Sequence, residues 1–125
     1  MGAAYDLLAA RCPGRIVLNR IGARWAPSVL SALGSGPMRF TELKKITDGV
    51  TSKALTETLR ALEYDGLVDR VETPSVAPPR VDYSLTLLGR SLLVALTPVR
   101  EWAEQHVADI AESRQRYELN SQVKG

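Results

Sequence analysis

Apolar residues recur at helical spacing through the first half of the chain and change to strict alternation only once. Residues 3 to 10 (AAYDLLAA) are helix-prone, and the Cys12-Pro13-Gly14 step breaks the pattern, with Pro13 suited to a first helical position. The next helix is predicted from about Pro13 to Ile21, stopped by Gly22. Trp25 then supplies a large apolar anchor, and Pro27 opens a second helix in which Val29, Leu30 and Leu33 share one face before Gly34-Ser35-Gly36-Pro37 ends it. A short helix is predicted over Thr41 to Thr47, with Leu43 and Ile46 inward. Asp48-Gly49 reads as a turn and Thr51 as the N-cap of a helix whose Leu55, Leu59 and Leu62 are spaced by four and three before Asp65-Gly66. Helix, tight glycine-containing turn and helix is the order of a helix-turn-helix.

After Gly66 the period falls to two. Val81, Tyr83 and Leu85 alternate with polar residues as in a half-buried strand, whose partner is Leu67 to Thr73. The linker between them, Pro74-Ser75-Val76-Ala77-Pro78-Pro79, holds too much proline for a central strand and reads as a stiff hairpin tip. A hairpin directly after the second helix of such a pair is a wing. Thr86 then caps a last helical region running to about Tyr117, along which Leu92, Leu96, Val99, Ala103, His106 and Ile110 keep a four-three spacing and Pro98 is a point of kinking or division. The fold class expected is mainly α with a small β wing: a winged helix-turn-helix between N- and C-terminal dimerisation helices.

Length confines these elements to one domain, because 125 residues bury a single core. The expected division is a DNA-binding core over about 22–86 and dimerisation helices over about 3–11 and 87–117. Hydrophobic residues at 45% and charged residues at 24% are the balance of a globular protein. With no signal-peptide pattern and no long uninterrupted apolar run, a cytoplasmic protein without a membrane partner is expected. A formal net charge of +2 is compatible with a polyanionic partner without requiring one. One cysteine and one histidine cannot build a Cys/His zinc cluster. No phosphate-binding glycine loop or metal spacing suggests catalysis, so neither an enzyme nor a cofactor is expected.

If Leu55, Leu59 and Leu62 are buried, Ser52, Lys53, Thr56, Glu57 and Arg60 project from the opposite side of their helix. Hydroxyls and cations there suit base edges and phosphates in a major groove. On an isolated helix the same face reads more simply as solvated surface. The flanking turn and wing favour double-stranded DNA as the partner. Arg39, Lys44 and Lys45 before the helix and Arg80 on the wing place cations where such modules meet phosphate, diluted by Glu42, Asp48 and Asp82. Thr51 completes the set of expected contacts. The competing reading is a winged-helix protein-interaction module without DNA affinity, which would carry exposed apolar residues on that face.

Five stretches resemble the HxlR family of winged-helix transcriptional regulators. They are Cys12-Pro13; Gly22 with Trp25; Gly36-Pro37-Met38-Arg39-Phe40-Thr41-Glu42-Leu43; Leu62-Glu63-Tyr64-Asp65-Gly66-Leu67; and Pro78-Pro79-Arg80-Val81-Asp82-Tyr83-Ser84-Leu85-Thr86. Pro27 and the extra length that Ala77 adds to the wing tip depart from the family pattern. The resemblance implies DNA binding by the helix starting near Thr51, a wing over about 67–85 and a homodimer, here through Leu7, Leu8, Leu96, Val99, Trp102, His106 and Ile110. It further implies a regulator, in the first instance a repressor on a pseudo-palindromic operator, responsive to an electrophile or small-molecule inducer. Some such regulators sense electrophiles through a cysteine at the position of Cys12. A thiol at a helix N-cap between Arg11 and Arg15 has its thiolate favoured by the helix dipole and the cations. The alternative is a structural thiol that packs the helix and responds to nothing.

Overall fold

The computed structural model describes residue 9, residues 11–74 and residues 77–124. Leu7, Leu8 and nearly all of the expected 3–11 helix lie outside the described residues. Among the described residues, five helices and one hairpin follow in the order α1 (Pro13–Ile21), α2 (Ala26–Leu33), α3 (Phe40–Ile46), α4 (Ser52–Tyr64), β1 (Val68–Thr73), β2 (Arg80–Leu85) and α5 (Leu87–Lys124).

Residues up to Leu93 form one compact unit. Its core follows from the leucine spacing: Val29, Leu30 and Leu33 of α2, Leu43 of α3, and Leu55, Leu59 and Leu62 of α4 are all buried. Helix α2 is the hub, contacting α1, α3, α4 and β2. Ala26, Val29, Leu30 and Leu33 fall on one of its faces. Thr51 accepts a hydrogen bond from the Ala54 amide at 3.1 Å, fixing the start of α4 as its N-cap. Gly49 (φ 86°) and Gly66 (φ 76°) take the left-handed conformation that the turns before and after α4 require.

The hairpin pairs antiparallel from Val68 opposite Leu85 to Thr73 opposite Arg80. Its inner end is held to the helices. Met38 and Tyr83 exchange both backbone hydrogen bonds, at 2.9 and 2.8 Å, so the segment leading into α3 adds one bridge to β2. Thr86 donates its hydroxyl to the Gly66 carbonyl (2.6 Å) and its amide to Leu67 (3.2 Å) while accepting from the Gly89 amide (3.0 Å), thereby capping α5. Gly89 packs so closely on the Leu67 carbonyl that no side chain fits between them.

Residues from Val94 onward form a second unit, the continuation of α5. Here Trp102 and His106 stack with ring centroids 4.6 Å apart. Val94, Val99, Trp102, Val107 and Tyr117 are all more than half exposed.

Four expectations need correction. Ile46 is not inward but 58% exposed, because α3 ends at that residue and Thr47, one turn after Leu43, occupies the buried position. The last helix runs beyond Tyr117 to Lys124, through a polar and charged stretch that sustains a helix without an apolar stripe. Pro98 does not divide it. The polar residues of β2 do not form a solvent face, since Asp82 and Ser84 are half-buried like Val81 and Tyr83.

Candidate nucleic-acid interface

The buried leucines of α4 fix its orientation, turning Ser52, Lys53, Glu57 and Arg60 to solvent. Thr56 is half-buried, and its hydroxyl donates to the Ser52 carbonyl at 2.8 Å, which locks the rotamer and leaves the oxygen lone pairs available as acceptors. Tyr64, 85% exposed, continues this face at the C-terminal end of the helix. The spacing Arg60-Tyr64 was the available signal for it, but a single tyrosine before a turn carries no functional mark of its own.

Cations lie on this helix and in the elements before and after it. Arg39 stands at the N-cap of α3, where its backbone amide donates to Glu42 (3.1 Å), so the Glu42 carboxylate is engaged in starting the helix. Lys44 and Lys45 lie in the last turn of α3, favourably placed at the negative end of its dipole. Arg39, Lys44, Lys45, Lys53 and Arg60 are all exposed and form no ion pair among the described residues. Such cations are open to an external anion.

Arg80 differs. Its Nε contacts both Asp82 carboxylate oxygens, at 3.0 and 3.3 Å. That hydrogen bond, then the carboxylate's charge, raises the guanidinium pKa above its already high ordinary value. Residues i and i+2 of a strand share a face, so the pair was readable in the Arg80-Val81-Asp82 order. The wing cation is therefore partly neutralised, and an exposed pair of this kind contributes little to stability.

Arg20 Nε lies 3.4 Å from Asp65 Oδ2, an ion pair between α1 and the C-cap of α4 that no sequence spacing announces. Cys12 is buried at the N-cap of α1 and makes no side-chain capping bond. Ile16, Val17 and Leu18 of α1 are each about half exposed, at 51, 50 and 52%. Consecutive on a helix, they point in different directions and form no periodic stripe that the sequence would show. Of the interface residues expected on α5, Leu96, His106 and Ile110 are half-buried, whereas Val99 and Trp102 are exposed. The His106 Nδ1 lies 2.8 Å from the Trp102 carbonyl, which orients the ring.

Residues 20–111 match the HxlR-like helix-turn-helix family. The HTH-type transcriptional regulator YtfH of Escherichia coli (strain K12) is 38% identical over 109 residues, which cover 87% of this chain and 86% of that protein. Among solved structures, the transcriptional regulator ytfH from Salmonella typhimurium superposes with a TM-score of 0.80 at 38% identity, covering 90% of this chain and 99% of its own. The redox regulator HypR in its reduced form gives 0.72 at 37% identity, covering 81% and 98%.

Proposed function

The chain belongs to the HxlR-like helix-turn-helix family and is an HTH-type transcriptional regulator; from that premise we propose that it is a homodimeric repressor. It lays α4 in the major groove of each half of a pseudo-palindromic operator. The observation that carries this reading is the outward face of α4, polar and capped at Thr51, whose cations Lys53 and Arg60, like Arg39 and Lys44 before the helix, form no ion pair among the described residues. Ser52, Lys53 and Thr56 occupy the N-terminal part of the helix, the part that reaches base edges in such motifs, and Lys53 is suited to guanine. Arg39, Lys44, Arg60 and Arg80 meet phosphate. Of the residues expected to join two copies, Val99 and Trp102 of α5 are exposed and apolar, as residues of an interaction surface would be. Operator half-sites would then repeat at about one helical turn, roughly 34 Å.

The resemblance to a redox regulator supports an electrophile or other small molecule as the inducing signal. Cys12 is the chain's sole cysteine, so covalent sensing there proceeds by alkylation, a mixed disulfide or a bridge between two protomers. No helix among the described residues is long and apolar enough to cross a membrane.

The test is fluorescence anisotropy of the full chain on duplex DNA from upstream of its own gene, over a range of salt. Lys53→Ala and Arg60→Ala should each weaken binding about tenfold and flatten the dependence of log affinity on log salt by about one contact. Affinity unchanged in both variants would move the assignment to a protein-interaction module.

A further inference from the structure

On the side of the helical core formed by α2 and the end of α3, a crevice of about 490 Å³ opens to solvent. That volume lies within the range of small-molecule sites. Its apolar lining is Trp25, Ala32 and Ile46, and its polar residues are Ser28 and Ser31 of α2, Ser35 just beyond it, and Thr47 and Asp48. None of these is among the residues assigned above to DNA or to the joining of two copies.

Three features define what the crevice would hold. Thr47 is only 5% exposed, and its hydroxyl, itself closed off from solvent, has no hydrogen-bond partner among the described residues, an unusual state for a buried polar group. The Trp25 ring is half-buried, with the Arg24 guanidinium 4.9 Å from its centroid, and together with Ile46 it offers a surface for a flat apolar body. Asp48 is the one charged residue in the lining, so a cation or hydrogen-bond donor finds its partner there, whereas the Arg24 guanidinium is already held on the Trp25 ring.

The same residues are the turn of the helix-turn-helix. The Val50 amide donates to the Thr47 carbonyl at 3.2 Å, Gly49 packs toward the tip of the Trp25 ring, and Thr51 caps α4 directly afterwards. A molecule that engages the exposed Asp48 carboxylate, and the Thr47 hydroxyl once that side chain turns toward the crevice, therefore acts on the two residues that set the start of the DNA-facing helix.

We propose that this crevice is an effector site for a small aromatic molecule bearing an amine or hydroxyl donor, and that its occupation alters operator affinity through the Thr47–Val50 turn. Only the second clause rests on the regulator reading. Tryptamine is a suitable probe and indole-3-propionate, with the same ring and the opposite charge, its counterpart. In amide and indole N–H NMR spectra of the full chain, tryptamine should produce saturable shifts centred on Trp25, Thr47 and Gly49, with indole-3-propionate at least about tenfold weaker. Asp48→Asn, on an exposed turn position, should remove that preference. Ala32→Trp, which fills the crevice from α2, should abolish both responses. If that variant does not fold, Asp48→Asn still decides. Shifts centred elsewhere, an unchanged preference in Asp48→Asn, or shifts that follow protein concentration rather than tryptamine would overturn the site. With the crevice saturated, operator affinity should change at least about fivefold, and no change would overturn its effector role. A chain that binds tryptamine at the crevice but no DNA with or without it would instead count against the regulator reading.

Discussion

Replacing Gly89 by alanine sets two physical effects of opposite sign against each other. In a helix the substitution is favourable by about 1 kcal/mol, because alanine loses less backbone entropy and shields the helix from water. Gly89, however, sits in the first turn of α5 against the backbone that follows α4. A Cβ there would overlap the Leu67 carbonyl oxygen and stand 3.1 Å from its carbon and 3.3 Å from Leu85 Cδ2. The obstacle is backbone, so it cannot rotate aside, and the first turn of α5 must lift. Lifting strains or breaks the Thr86 bonds to Gly66 and Leu67, each worth about 1 kcal/mol net, and overpacking costs about 1–3 kcal/mol more. The expected outcome is a loss of about 3 kcal/mol, or roughly 10 °C in the unfolding midpoint. Thermal and urea unfolding should be followed by circular dichroism at one fixed protein concentration, because self-association adds to apparent stability. Gly22→Ala is the control, since its Cβ would stay 3.4 Å from the nearest atom, and it should change stability by less than about 1 kcal/mol. A Gly89→Ala protein as stable as the parent or more so would show that helix propensity dominates and that the packing argument is wrong.

Three further outcomes are expected. Arg80→Ala should weaken operator and unrelated DNA alike and lower the salt slope by about one, whereas Asp82→Asn, which releases the guanidinium and removes a repulsive charge, should strengthen binding to unrelated DNA a few-fold; weaker binding in Asp82→Asn would contradict the pairing argument. Light scattering at micromolar concentration should give the mass of two chains, and Trp102→Glu, which puts a charge into the exposed apolar face of α5, should shift it toward one; a wild-type mass of one chain would dismiss the homodimer. Diamide or a quinone should release DNA from the wild type but not from Cys12→Ser if Cys12 is the sensor. Because Cys12 is buried, the reaction should be slower than that of an exposed thiol, and equal release from both proteins would make the cysteine structural.

Elements whose stability is set locally were legible in the sequence. The leucine spacing of α4, its Thr51 cap and its closing glycine belong to one short segment, and so do the alternation and proline tip of the wing. The helix-end signals around Pro13, Gly22 and Thr86 worked for the same reason. Ile46 failed because an apolar residue in the last turn of a short helix can meet the core or solvent, and the choice depends on where α2 stands. The Arg20–Asp65 pair and the Met38–Tyr83 bridge join residues far apart in the chain, so no local pattern encodes them. The site was half legible. The outward face of α4 followed from burial of its leucines, and the i, i+2 spacing on a strand allowed for the Arg80–Asp82 pair, but the burial of Cys12 depends on side-chain geometry that composition does not contain. The crevice beside Trp25 is a product of packing alone.

The bridge between Met38 and Tyr83 makes the hairpin a cantilever. From Tyr83 inward, the strands are clamped to the helices, while outward from it three residues, Arg80 to Asp82, extend about 10 Å as a two-stranded ribbon. A load applied at the Arg80 end bends the ribbon about its clamp before it disturbs the root. DNA varies in groove width and curvature from one sequence to the next. On the proposed operator the protein would follow that variation with Arg80 while α4, seated on three buried leucines, kept its depth and register in the neighbouring groove.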